Sequence, residues 1–122
     1  MYKGIEHTAI ATPNPEALGQ WYEKYLNFPI SYRYGGNVFV KAPDGSMLEL
    51  IPSVGEPVKT EVKTPGIRHL AIKVDDYDAA LKELEGKGIE FFERIENDTM
   101  RLAFFRDIEG NILHLVHRAN PI

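Results

Sequence analysis

The chain has 122 residues, 43% hydrophobic and 11% aromatic, with no cysteine, four histidines and a net charge of −4 from 18 acidic and 14 basic side chains. That length fits one domain, or two tightly joined half-units, with a core that needs no covalent staples, and the missing cysteines exclude a disulfide scaffold, a thiolate-held metal and a thiol nucleophile. Mild acidity gives no basic footprint for nucleic acid or an anionic membrane, and no membrane span or signal-peptide core is read, so a small-molecule partner and a cytoplasmic location are expected.

Ile5-Glu6-His7-Thr8-Ala9-Ile10 opens the chain as a strand. Asn14-Pro15-Glu16 then supplies an N-cap, a proline at the first helical position and an acid near the positive end of the helix dipole. The helix carries Leu18, Trp21, Tyr22, Tyr25 and Leu26 at three- and four-residue spacing, and Asn27 before Pro29 is expected to end it. Three short strands follow, Ile30 to Tyr34, Val38 to Lys41 and Met47 to Ile51, separated by Gly35-Gly36-Asn37 and Pro43-Asp44-Gly45.

Residues 53–66, SVGEPVKTEVKTPG, read as an exposed connector with no periodic apolar face. Beyond it the pattern starts again. Ile67-Arg68-His69-Leu70-Ala71-Ile72 repeats the Ile-x-His-x-Ala-Ile of the first strand, and Asp75-Asp76 precedes a helix with Tyr77, Ala80, Leu81 and Leu84 on one face, ending at Gly86-Lys87-Gly88. Strands are expected at Glu90 to Ile95, Arg101 to Arg106 and Ile112 to Val116. The fold class is therefore α+β, with two tandem βαβββ modules, one over 4–52 and the other over 67–118, in a single domain spanning 1–122.

Alternation along the strands sets His7 with Ala9, and His69 with Ala71, on the side away from the aliphatic helix-facing residues. Leu48 and Leu50, like Leu113 and Leu115, take the helix-facing role in the last strands, which turns Glu49 and His114 to the same side as the histidines. Four metal-ligand side chains thus occupy matching positions, two per module. A glutamate or histidine among leucines is costly to bury unless paired or metal-bound, which favours a metal over four unrelated polar residues.

Five stretches taken together resemble the vicinal oxygen chelate superfamily of glyoxalase I, extradiol dioxygenases, methylmalonyl-CoA epimerase and the fosfomycin and bleomycin resistance proteins. They are Ile5-x-His7-x-Ala9-Ile10, Trp21-Tyr22-x-x-Tyr25-Leu26-x-Phe28, Pro43-Asp44-Gly45-x-x-Leu48-Glu49-Leu50, Gly66-Ile67-x-His69-Leu70-Ala71-Ile72-x-Val74 and Phe105-x-Asp107-x-Glu109-Gly110-Asn111-x-Leu113. The resemblance implies paired modules whose sheets curl around a metal, a ligand set of His7, Glu49, His69 and His114, and a homodimer. His114 departs from the family pattern, which has a glutamate there.

Imidazole and carboxylate ligands suit Ni, Zn, Fe(II), Mn or Co alike, and spacing does not choose among them. A six-coordinate ion with four protein ligands keeps two positions, enough for a substrate that chelates through adjacent oxygens. The expected activity is a glyoxalase-like lyase or isomerase with Glu49 or His114 moving the proton. An extradiol-type Fe(II) dioxygenase is the alternative, and a non-catalytic binder of an antibiotic or metabolite is the third reading. Phe39 and Phe104, at equivalent places in the penultimate strands, are expected to line the substrate pocket, with Tyr32 and Arg101 as polar contacts.

Overall fold

The computed structural model describes residues 1–122, which divide into two compact units, Met1–Pro57 and Val58–Ile122. The first contains β1 (His7–Thr12), α1 (Pro15–Leu26), β2 (Ile30–Tyr34), β3 (Asn37–Lys41) and β4 (Met47–Pro52). Its sheet has the order β1-β4-β3-β2, with β1 parallel to β4 and the other pairs antiparallel. The second contains β5 (His69–Lys73), α2 (Tyr77–Gly86), β6 (Glu93–Glu96), β7 (Met100–Arg106) and β8 (Ile112–Arg118), ordered β5-β8-β7-β6 with the same single parallel pair. Each is a βαβββ module, as the repeat implies. Neither helix is long and apolar enough to cross a membrane.

Local chemistry accounts for the helix ends. Asn14 Oδ1 accepts the Ala17 amide at 3.0 Å and Asp76 Oδ1 accepts that of Ala79 at 3.0 Å, so both helices start on side-chain caps. Asn27 closes α1 in the left-handed region at φ 58°, a conformation asparagine tolerates better than most residues. Leu18, Trp21 and Tyr22 are buried on α1, and Tyr77, Leu81 and Leu84 on α2. Gly19 lets α1 come down on its sheet, since a Cβ there would lie 3.1 Å from Val38 Cγ1 and 3.2 Å from Ile30 Cδ1.

The helix-facing sides are aliphatic, as alternation requires, with Val38, Val40, Leu48 and Leu50 buried in the first unit and Leu113 and Leu115 in the second. The aligned glycines Gly45 and Gly110 both have positive φ, 92° and 85°, in the turns that launch β4 and β8. Asp44 and Asp107 brace those turns: Asp44 Oδ1 accepts the Ser46 amide at 3.0 Å, and Asp107 Oδ1 accepts the Asn111 amide at 3.0 Å.

Three expectations are corrected. Regular pairing starts at His7 and His69, later than the opening isoleucines, and Ile5 and Ile67 are exposed. The strand expected from Glu90 begins at Glu93, since Phe91 and Phe92 insert their rings against Phe105 and Phe104, at 5.6 and 5.9 Å between centroids. The connector is not simply solvated, because Val62 packs on the buried cluster of Leu102, Phe104, Ile112 and Val116, and Glu61 pairs with Arg106 at 3.6 Å.

Candidate metal-binding half-sites

In the first unit Ala9 is the register partner of Glu49, which puts His7 diagonally next to the glutamate on the face away from α1. His7 Nε2 lies 3.4 Å from Glu49 Oε1. Each group is also held from behind. His7 Nδ1 is 2.9 Å from Glu6 Oε1, and since a carboxylate only accepts, Nδ1 donates there while Nε2 is the nitrogen that faces Glu49. Glu49 Oε2 accepts from the Tyr34 hydroxyl at 2.8 Å and from Asn37 Nδ2 at 3.2 Å.

The second unit repeats the diagonal. Ala71 is the register partner of His114, and the rings of His69 and His114 stand 4.7 Å apart. His114 Nδ1 is 3.1 Å from the Leu115 carbonyl oxygen, so here too the proton is on Nδ1 and Nε2 is the available donor. His114 is buried, and that burial lowers its pKa below the usual 6.5; the Leu115 hydrogen bond opposes the shift, and His69 and Arg118 add smaller contributions in its direction. Its imidazole is therefore neutral at neutral pH, the form that ligates a metal or accepts a proton.

These donors fit a divalent ion in their chemistry and, for the first pair, in spacing. Two atoms bound to one ion at ~2.0–2.2 Å stand roughly 2.8–3.6 Å apart for bond angles between octahedral and tetrahedral. The 3.4 Å of His7 and Glu49 falls inside that interval. The structure shows two donor pairs, and no three His, Asp or Glu side chains are grouped so as to hold a metal.

Phe39 and Phe104 do occupy equivalent places, cross-strand from Glu49 and His114 respectively. The Phe39 ring meets His7 at 5.5 Å, and Phe104 meets His114 at 4.8 Å and His69 at 6.2 Å. Tyr32 lies on the same face as Phe39, 6.1 Å from its ring and 60% exposed. Arg101 is corrected. It sits on the opposite face of β7 from Phe104, bound to Asp78 Oδ1 at 2.8 Å and stacked over the Tyr77 ring at 4.2 Å, so it braces α2 and does not face His114. The odd separation of positions 101 and 104 already carried that information. Tyr34 and Asn37 were not foreseen as partners of Glu49, and the signal for them is the β2–β3 register, which pairs Tyr34 with Asn37 one step along the hairpin from Phe39.

The model of the Glyoxalase/Bleomycin resistance protein/Dioxygenase superfamily matches residues 4–115. The chain is 33% identical over 117 residues to Bacillus subtilis (strain 168) "Uncharacterized protein YwkD", covering 88% of this chain and 91% of that one. Among solved structures, a glyoxalase family protein from Enterococcus faecalis superposes with a TM-score of 0.79 at 26% identity, covering 95% of this chain and 98% of that one. Oxidase ChaP-H2 superposes with a TM-score of 0.76 at 25% identity, covering 97% and 95%.

Proposed function

Since the chain belongs to the Glyoxalase/Bleomycin resistance protein/Dioxygenase superfamily, we propose that it is a divalent-metal-dependent lyase or isomerase of glyoxalase type, acting on a small substrate with two adjacent oxygens. His7 with Glu49 and His69 with His114 are the donor pairs that would hold a metal in this reading. The supporting observation is the repeated diagonal, His7 with Glu49 and His69 with His114, in which the second ring nitrogen of both His7 and His114 is already engaged. When bound, the ion supplies a Lewis acid that stabilises negative charge on a substrate oxygen. Glu49 and His114 are the groups available to move a proton, the first as a carboxylate and the second as a neutral imidazole. Phe39, Phe104 and Tyr32 line the substrate side. The protein is expected to work as a homodimer in the cytoplasm.

Metal analysis of protein purified without chelator tests this reading, followed by parallel assays of hemithioacetal isomerisation and of oxygen uptake with catechols. One divalent ion per site and isomerase activity are expected. The second reading is an extradiol-type Fe(II) dioxygenase, supported only by the oxidative activity that the name of Oxidase ChaP-H2 carries. Oxygen consumption with iron and no isomerisation would select it, and a metal-free preparation that stays metal-free on titration would overturn both.

A further inference from the structure

We propose that the connector turn over residues 61–64 is a gate on the second unit's site face, with Val62 as its plug and the Glu61–Arg106 ion pair as the catch that holds it. The inference does not depend on a metal, and it lies wholly within Val58–Ile122. Register decides which residues share this face. His69 and Ala71 pair with Ile112 and His114, while Leu102, Phe104 and Arg106 pair with Val116, His114 and Ile112. Alternation therefore puts His69, His114 and Arg106 on the same side of the sheet as the buried cluster of Leu102, Phe104, Ile112 and Val116. Val62 packs on that cluster, and Glu61 Oε2 stands 3.6 Å from Arg106 Nη2.

The two sides of this contact are built differently. Arg106 is a fixed post, because Nη1 donates to the Gly110 carbonyl at 2.9 Å and the guanidinium lies 5.1 Å over the Phe92 ring. The turn keeps its own shape without help from the sheet: the Thr64 amide donates to the Glu61 carbonyl at 3.1 Å, and the Thr64 hydroxyl accepts the Glu61 amide at 2.9 Å. It is joined to the sheet by a half-buried valine and an ion pair that water reaches, which is a weak attachment. Such a turn can lift as one piece while the sheet stays folded. The first unit offers the comparison. Residues 1–6, which lead into β1, are exposed throughout, and Met47, Glu49 and Ile51 on the site face of β4 are only half-buried. Ile112, His114 and Val116, the equivalents on β8, are buried. The module with a segment folded back on its site face is the one whose site face is closed.

The test uses the full chain, freed of metal. Diethyl pyrocarbonate acylates accessible neutral imidazole, and peptide mass spectrometry reads the rate at each histidine. With reagent slow against opening, the rate at His114 follows the open fraction of the gate. Wild type is compared with Glu61→Gln, Val62→Ala, the double variant and Val58→Ala, the last at an exposed valine of the same connector. Loss of the exposed ion pair should speed His114 acylation by about 1.4–5-fold. Trimming the half-buried valine should speed it by roughly fourfold, and Val58→Ala should leave it unchanged. Raising salt from ~0.01 M to ~1 M shortens the screening length from about 30 Å to about 3 Å, so it should speed wild type and leave Glu61→Gln unmoved. Amide hydrogen exchange over 61–66 should rise in step while β8 stays protected. An unchanged His114 rate in the double variant would overturn the inference. So would a faster rate accompanied by loss of β8 protection, because that marks unfolding of the unit rather than release of the turn.

Discussion

Phe39 and Phe104 stand at equivalent positions of the repeat, and replacing each by alanine should have very different costs. Phe104 is 5% exposed and belongs to the buried cluster with Leu102, Ile112 and Val116, with Phe92, His69 and His114 against its ring. Removing a fully buried phenylalanine costs about 3–5 kcal/mol through lost transfer energy and the cavity left behind. Against a total stability of ~5–15 kcal/mol that is a large fraction. Phe39 is only partly buried and its ring neighbours, Tyr32 and Tyr34, are themselves exposed, so water already reaches it and little cavity forms. A loss of about 1–2 kcal/mol is expected there. For a domain of this size the difference corresponds to a melting temperature lowered by roughly 10–20 °C for Phe104→Ala and by roughly 3–8 °C for Phe39→Ala. Urea titration of the metal-free proteins, followed by far-UV circular dichroism, measures both. Equal midpoints for the two variants would refute the claim that the two modules bury their site faces to different degrees.

Three further outcomes are expected. His7→Ala and His69→Ala should each abolish the stoichiometric divalent ion expected from metal analysis of the wild type, and retention of the ion in either would remove that histidine from the ligand set. Because burial lowers the His114 pKa in the folded protein, the unfolded chain binds more protons between that value and the usual 6.5. Stability of the metal-free protein should therefore rise with pH across that window and flatten above it, and denaturant midpoints for His114→Leu should lose this dependence. His114→Glu, which installs the glutamate that the sequence resemblance implies for that position, should raise hemithioacetal isomerase activity, measured with the added divalent metal. No gain over wild type would show that His114 is not what separates this chain from that activity.

The fold was legible in the sequence because its signals were local and came twice. The caps at Asn14 and Asp76 and the paired turns at Gly45 and Gly110 are chemistry of a few adjacent residues, and all act in the structure as their types predict. The parity argument that placed Glu49 and His114 opposite the leucines held because Leu48, Leu50, Leu113 and Leu115 leave no choice of face. The same alternation sets Arg101, an odd number of residues from Phe104, on the face where it binds Asp78. What alternation does not carry is register. That Tyr34 and Asn37 meet the carboxylate of Glu49 depends on how β2, β3 and β4 align, which is set by a two-residue turn and by packing rather than by any pattern along one strand. The connector misled because its prolines and charges describe most of its length, while the contacts that tie it down come from Glu61 and Val62.

Duplication supplies two equivalent diagonals, and the surroundings then make them chemically unlike. In the first module the acid is ringed by donors, with Tyr34 and Asn37 on one oxygen and His7 beside the other. In the second the equivalent residue is a buried histidine against the rings of Phe104 and His69, where burial favours the uncharged form. A glutamate placed at 114 without a metal would meet that apolar face with no donor hairpin to satisfy it, at a desolvation cost of several kcal/mol. Histidine avoids that cost because its neutral form is a competent ligand and tolerates apolar neighbours. The imidazole at position 114 thus suits the apolar face around it. It follows that His114→Glu should be the variant whose stability depends most steeply on added metal, since binding to the folded state alone stabilises it by mass action.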